Sequence, residues 1–236
     1  MSGFALNFQD LFEMDVTPEG SSTFARLGAG ISSVTPGLND NVDQTPYLDG
    51  NGFGSSDVIG KQLIYSVTGH RVVGDSVQDF VAGKRFSLGD DLKTNFRAYD
   101  SDGNLVTGAC TLANIVIGGG DAQGKKDISF EIHINGQPTD TPASAAPALS
   151  VVVAGGAVAG TTSFTATPGS GNTLAYKLTA AALAPNENSW PGNLVDYTSG
   201  NDIVAAVDQY LNMFELDANY RVVNFSTQQL AAGDIT

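Results

Sequence analysis

Residues 128–134 constrain this chain more than any other stretch. Ile128, Phe130, Ile132 and Ile134 alternate with Ser129, Glu131 and His133, the period of two expected of a strand with one buried face. Leu92, Thr94, Phe96 and Ala98 alternate in the same way with Lys93, Asn95, Arg97 and Tyr99. The run 100–104 (DSDGN) then supplies a turn, and Leu105 begins the return strand. Leu63, Tyr65 and Val67 mark another strand, expected to continue through His70 to Val73. One helix is predicted. Asp75 is a good N-cap with Gln78 three residues on, as in a capping box, Val77, Phe80 and Val81 share a face, and Gly83 can end it. So short a helix is marginal alone and must pack on the sheet.

Strands continue towards the C-terminus. Phe164 and Ala166 alternate with threonines, and Leu174, Tyr176 and Leu178 form a second stretch. Residues 211–216 and 220–225 flank Asp217-Ala-Asn219, a hairpin signal. Residues 203–213 read as a loop followed by a strand, or as a helix, since Ile203, Ala206, Val207 and Tyr210 share a helical face. Between the halves, residues 137–147 hold three prolines among small polar residues and read as an extended linker. Charge shifts across it: residues 1–140 carry 9 basic and 18 acidic groups, residues 141–236 carry 2 and 7. The expected division is a first domain over 1–137, a linker over 138–147 and a small β-sandwich over 148–236.

Composition narrows the function. With 42% apolar residues among 236 the chain can bury a core, yet only 15% are charged. Val, Thr, Asn and 28 Gly suit twisted sheets with many turns. Few long charged side chains also suit a surface covered by neighbours. A net charge of −14 repels nucleic acid and argues against anionic membranes. The start, Met1-Ser2-Gly3-Phe4, has neither a basic nor an apolar signal region, and no apolar run is long enough to span a bilayer. The single cysteine, Cys110, lies in a strand-like stretch and is expected to be buried.

Chemistry-bearing patterns are weak. Asp100-x-Asp102-Gly-Asn104 resembles the start of a calcium loop but lacks the later acid, so it reads first as a turn, as does 49–52 (DGNG). His70 and His133 sit in no metal motif. Gly118-Gly-Gly120 lacks the Walker spacing, and the Gly/Ser pairs form no nucleophile elbow. No catalytic residue, cofactor or metal is therefore expected, and the chain reads as a non-enzyme. Lys84-Arg85 and Lys125-Lys126 are better suited to a neighbouring subunit's acids than to nucleic acid. Residues 35–61 read as a long Gly, Asn, Asp, Ser and Pro loop whose interspersed Tyr47, Leu48 and Phe53 argue for binding.

Several segments in order resemble the tail tube proteins of long-tailed, siphovirus-type bacteriophages. They are 67–81 (VTGHRVVGDSVQDFV), 88–94 (LGDDLKT), 102–104 (DGN), 111–115 (TLANI), 118–121 (GGGD) and 128–136 (ISFEIHING), covering roughly 47–138. The C-terminal part resembles an appended tail domain through 159–162 (AGTT), 176–177 (YK), 197–203 (YTSGNDI) and 215–219 (ELDAN), departing from the usual pattern over 204–212. The resemblance implies a mainly β fold, a tail-tube-type β-barrel or sandwich with one short flanking α-helix, plus a small immunoglobulin-like β-sandwich that decorates the outside. It implies a virion protein, made in the bacterial host cytoplasm, that self-assembles into stacked hexameric rings around a tape-measure protein and joins tail-end proteins. DNA would pass through without specific binding, along a wall to which inner strands contribute acids. By the same analogy Asp43, Tyr47, Leu48, Asp49 and Phe53 are candidates for contact with an adjacent ring. Asp75, Gln78, Phe80, Lys84 and Arg85 are candidates for the helix and its inter-subunit contacts. The alternative is a secreted or surface β-rich adhesion or carbohydrate-binding module, against which stands a single Trp190.

Overall fold

The computed structural model describes residues 6–119 and 122–236. The chain is mainly β, with one α-helix and several sheets. It divides into two compact units. One comprises Phe12–Ala98 with Val106–Asp140; the other joins the N-terminal segment up to Leu11 with Tyr99–Leu105 and Thr141–Thr236.

The first unit is built on ten strands: β1 (Leu11–Asp15), β2 (Phe24–Arg26), β3 (Ile31–Leu38), β4 (Asn41–Pro46), β5 (Gly54–Gly60), β6 (Leu63–His70), β7 (Lys93–Tyr99), β8 (Leu105–Ile117), β9 (Asp127–Ile134) and β10 (Thr139–Thr141). Eight form a sheet in the order β2-β1-β7-β8-β9-β6-β3, with β10 paired to β8. The path is open, so among the described residues a single chain closes no barrel, the first of the two forms the resemblance implied. In β9 the alternation read from sequence is the alternation of burial: Ile128, Phe130, Ile132 and Ile134 are buried, and Ser129, Glu131 and His133 face outward. With Tyr65, Val67, Phe96, Cys110 and Leu112 they form one core, covered by Val77 and Val81 of α1 (Ser76–Gly83). The strand expected to run from residue 63 to Val73 stops at His70: the Arg71 amide still meets the carbonyl of Lys126, in register with β9, but the Val72 amide is taken by the Gln78 side chain.

The expected loop over 35–61 is largely ladder. β3 pairs with β6 through Leu38↔Leu63, and β4 pairs antiparallel with β5 as a separate two-stranded sheet. Pro36 sits in β3, a strand at the end of the sheet order, where a missing N–H breaks no ladder.

The second unit adds β11 (Val152–Gly155), β12 (Thr161–Thr165), β13 (Thr173–Thr179), β14 (Val195–Tyr197), β15 (Ile203–Val204), β16 (Tyr210–Leu216) and β17 (Val222–Gln229). A sheet ordered β11-β12-β15 and a second ordered β14-β13-β16-β17 share one core of Phe164, Leu174, Ile203, Leu211 and Met213. Residues 203–213 are a short strand, a turn and β16 rather than a helix. Tyr197 ties the sheets together. Its ring stacks on Phe164 at 4.0 Å, and its hydroxyl accepts from the Phe164 amide at 3.0 Å. Burial raises the phenol's pKa. Buried polar groups here are satisfied within the unit. Arg221 donates to the carbonyls of Asp100, Asn188 and Gln9, and Asn212 bonds Lys177, Thr179, Leu183 and Thr227.

Candidate functional site

The residues singled out for contact fall in two places on the first unit. The first is the β4–β5 arm. Its ladder runs from Asn41↔Gly60 to Pro46↔Gly54, and its apex is a 3-10 turn over Leu48–Gly50. Asn51 at φ 50° and Gly52 at φ 86° reverse the chain in the left-handed region that Asn and Gly tolerate. No residue of the arm is buried. At the apex Leu48 is fully exposed, Phe53 is 80% exposed and Tyr47 is 56% exposed. Asp49 lies in the apical turn, and Asp43 stands directly opposite Asp57 across the ladder. Val42 faces Val58 one position away, and Ile59 follows, also exposed. Val42, Val58 and Ile59 were not picked out from sequence, because alternation between polar and apolar faces marks a strand only where one face is buried.

The second place is α1 and the corner after it. Asp75 caps the helix as expected, its carboxylate accepting from the amide of Gln78 at 2.9 Å. The reciprocal half of the capping box is missing. Gln78 is fully buried, and its side chain instead accepts from the Val72 amide at 2.7 Å and donates to the carbonyl of Ala29. It holds the 70–75 turn against the segment before β3 and presents nothing to a neighbour. Asp79 does exposed work beside it, pairing with Arg71, and that pairing holds its carboxyl below the usual range. The helix ends with the Lys84 amide on the carbonyl of Val81.

Lys84 lies 5.5 Å from the centroid of the half-buried Phe80 ring, and Arg85 lies 4.4 Å from the Phe86 ring. Neither cation has a carboxylate within 4 Å among the described residues, whereas Lys61, Arg71 and Lys93 do. Phe86 and Leu88 are 83% and 84% exposed. Beside them a cleft is lined by Val16, Pro18, Glu19, Phe80 and Lys84. The signal for Phe86 and Leu88 was present in sequence as two bulky residues directly after a basic pair.

The outward face of the main sheet is hydroxyl-rich. Ser129 pairs with Thr68, Glu131 with Ser66, and Ser66 with Thr35. Glu131 accepts from Asn114 at 2.7 Å and bonds His133 at 2.8 Å, and these partners hold its carboxyl below the usual range. Asn114 reaches it from a β8 bulge at φ 50°. His70 bonds Asp127 at 3.2 Å. The 100–104 motif works as a turn: the Asp100 carboxylate takes the amides of Asp102 and Asn104 and the Asn104 side chain. Cys110 is buried, which pushes its thiol up to about 12.

Comparison with known proteins gives partial matches. The family described as S-layer protein SbsC C-terminal domain matches residues 154–233. No curated protein matches the chain in sequence. A chain from the tail of an empty gene transfer agent particle, determined with C6 symmetry, is 15% identical at a TM-score of 0.49, covering 59% of this chain and 100% of that one. Domains 7, 8 and 9 of the S-layer protein SbsC are 21% identical at 0.39, with 57% of this chain and 38% of that chain covered. A chain of the activated phage p2 baseplate is 9% identical at 0.32, covering 95% and 88%. Likeness at that level fixes no architecture, which rests on the strands and registers above.

Proposed function

We propose that this chain is a structural subunit that assembles with copies of itself into the tube of a long-tailed-phage-type tail. The β4–β5 arm carries the reading. A two-stranded hairpin with an exposed Tyr, Leu and Phe at its tip is marginally stable alone, and large apolar side chains so placed mark an interaction site. The ordered sequence motifs over 47–138 name the kind of assembly. β2 and β3, at the two ends of the sheet order, offer ladder groups to neighbours. In this reading protomers form stacked hexameric rings, the arm reaches the adjacent ring, and tape-measure and tail-end proteins complete the tail of the virion. The hydroxyl-rich sheet face, with Glu131 and Asp127, lines the lumen. Over β9, β6 and β3 such a wall offers DNA no row of cations to neutralise phosphates, as a conduit requires. The second unit decorates the outside.

Negative-stain electron microscopy of the purified chain, before and after concentration, tests this. Hollow tubes or six-fold rings are expected. The match of residues 154–233 to an S-layer domain favours a surface adhesion module as the second reading. Monomers that persist on concentration and bind glycans, or need calcium to fold, would replace the tube with that reading.

A further inference from the structure

We propose that the β4–β5 arm of one copy docks on the corner formed by the end of α1 and residues 84–88 of a second copy, an inference that rests on the self-assembly reading above. The arm is acidic and apolar. Asp40, Asp43, Asp49 and Asp57 lie within residues 39–61, with Lys61 the single base. Asp43 and Asp57 face each other across the ladder, and neither has an ion-pair partner among the described residues. Like charges directly opposite destabilise a hairpin, so a cation supplied from outside relieves a repulsion the arm carries alone. Its opposite face presents Val42 and Val58, and its tip presents Tyr47, Leu48 and Phe53.

The α1 corner offers the complement. Lys84 and Arg85 are adjacent cations without carboxylate partners among the described residues, and Phe86, Leu88 and the Val16, Pro18 and Phe80 cleft supply apolar surface next to them. Acids are also present: Glu19 lines the cleft, while Asp90 is neutralised by Lys93 and Asp91 follows it. The other adjacent basic pair, Lys125 and Lys126, lies opposite Arg71, which the exposed Val72 and Val73 follow, but among the described residues it is followed by no exposed aromatic or leucine side chain like Phe86 and Leu88. Charge and apolar surface coincide at 84–88. Because arm and corner are different surfaces, the contact is head-to-tail and propagates rather than closing on itself as a two-fold dimer would.

Charge exchange tests the pairing. Asp43→Lys with Asp57→Lys makes one variant, and Lys84→Glu with Arg85→Glu makes the other. Each alone is expected to lower polymer yield about tenfold. An equimolar mixture is expected to recover wild-type yield, because each variant's arm then complements the other's corner. Lys125→Glu with Lys126→Glu is the control: it changes net charge as the corner variant does and should leave yield unchanged at about 0.15 M salt, where long-range repulsion is screened. A second measurement does not depend on yield: Leu48→Cys in one copy and Leu88→Cys in another should form an intermolecular disulfide under mild oxidation, since Cys110 is buried and unreactive. Polymers that form but show neither rescue nor cross-link overturn the docking and leave the tube reading standing. Absence of polymers and of cross-link overturns both.

Discussion

Glu215 is a carboxylate held almost out of water by its own hydrogen-bond donors. It is 3% exposed in β16 and accepts from the Gly169 amide at 2.7 Å, Asn172 at 2.7 Å and Asn224 at 2.6 Å. Burial alone would raise its pKa, but the three donors together outweigh burial and leave the carboxyl below its usual value. A folded-state pKa below the unfolded one means that the unfolded chain binds more protons in acid. The stabilisation is therefore present above about pH 4.3, the ordinary glutamate value, and is lost as pH falls through the folded pKa. Asp15, held down in the first unit by Thr17, Thr23 and Asn95 against the same burial cost, acts with the same sign. Glu215→Gln keeps the size but sets an amide group against three donors, so it is expected to cost about 1–3 kcal/mol at pH 7. Denaturant midpoints measured from pH 7 to pH 3 check this: wild type should lose more stability on acidification than the variant. Parallel curves would show that Glu215 titrates alike in both states. None of this was legible in sequence. Glu215 looked like one polar residue in a hairpin, and its partners lie 9 to 46 positions away. Gln78 shows the same limit, since its place in a capping-box pattern was visible but Ala29 and Val72, which take its side chain, were not.

At the scale of elements, legibility followed burial. β9 and β7 were readable because one face of each packs into the core while the other does not, giving Ile-Ser-Phe-Glu-Ile-His-Ile its period of two. α1 was readable from its cap and from Val77 and Val81 on one face. β3 and the arm were not: β3 packs only Ile31 and Val34 part-way against the core before its second half runs exposed, and the arm has no buried face, so Asn-Val-Asp-Gln-Thr-Pro reads as loop. Of the residues proposed for contact, the apex side chains Tyr47, Leu48 and Phe53 stood out by size among small polar neighbours, while Phe86 and Leu88 were marked only by following a basic pair. The same absence of burial makes a prediction. Replacing residues 42–58 by a short Gly/Ser turn removes no core side chain, so the melting temperature of the free chain should move by less than about 4 °C, the shift of roughly 1 kcal/mol in a domain of this size. Polymer formation should be abolished. A large loss of thermal stability would mean that the arm packs on its own chain, and polymers without it would remove it from the assembly contact.

At the scale of the whole molecule, two electrostatic effects oppose each other. Each copy carries a net charge of −14, so copies repel at long range, while arm and corner attract only when they touch. Range decides which effect dominates at a given ionic strength. The screening length is about 30 Å at 0.01 M salt and about 8 Å at 0.15 M. At the lower concentration the full charges of two approaching subunits act on each other; at the higher one only neighbouring groups do. Contact pairs such as Asp43 or Asp57 against Lys84 or Arg85 become partly desolvated on docking and are screened less. Polymer yield is therefore expected to rise between about 0.01 and 0.15 M salt and to fall again towards about 1 M, where the screening length of about 3 Å reaches the contact pairs themselves. The equimolar mixture of the two charge-exchange variants preserves the average net charge and should follow the same curve, which light scattering against ionic strength can record. A yield that only falls from the lowest salt upward would mean that local attraction outweighs the overall repulsion at every range. A yield that only rises would mean that apolar contact through Leu48, Phe53, Phe86 and Leu88 holds the copies together without the charges.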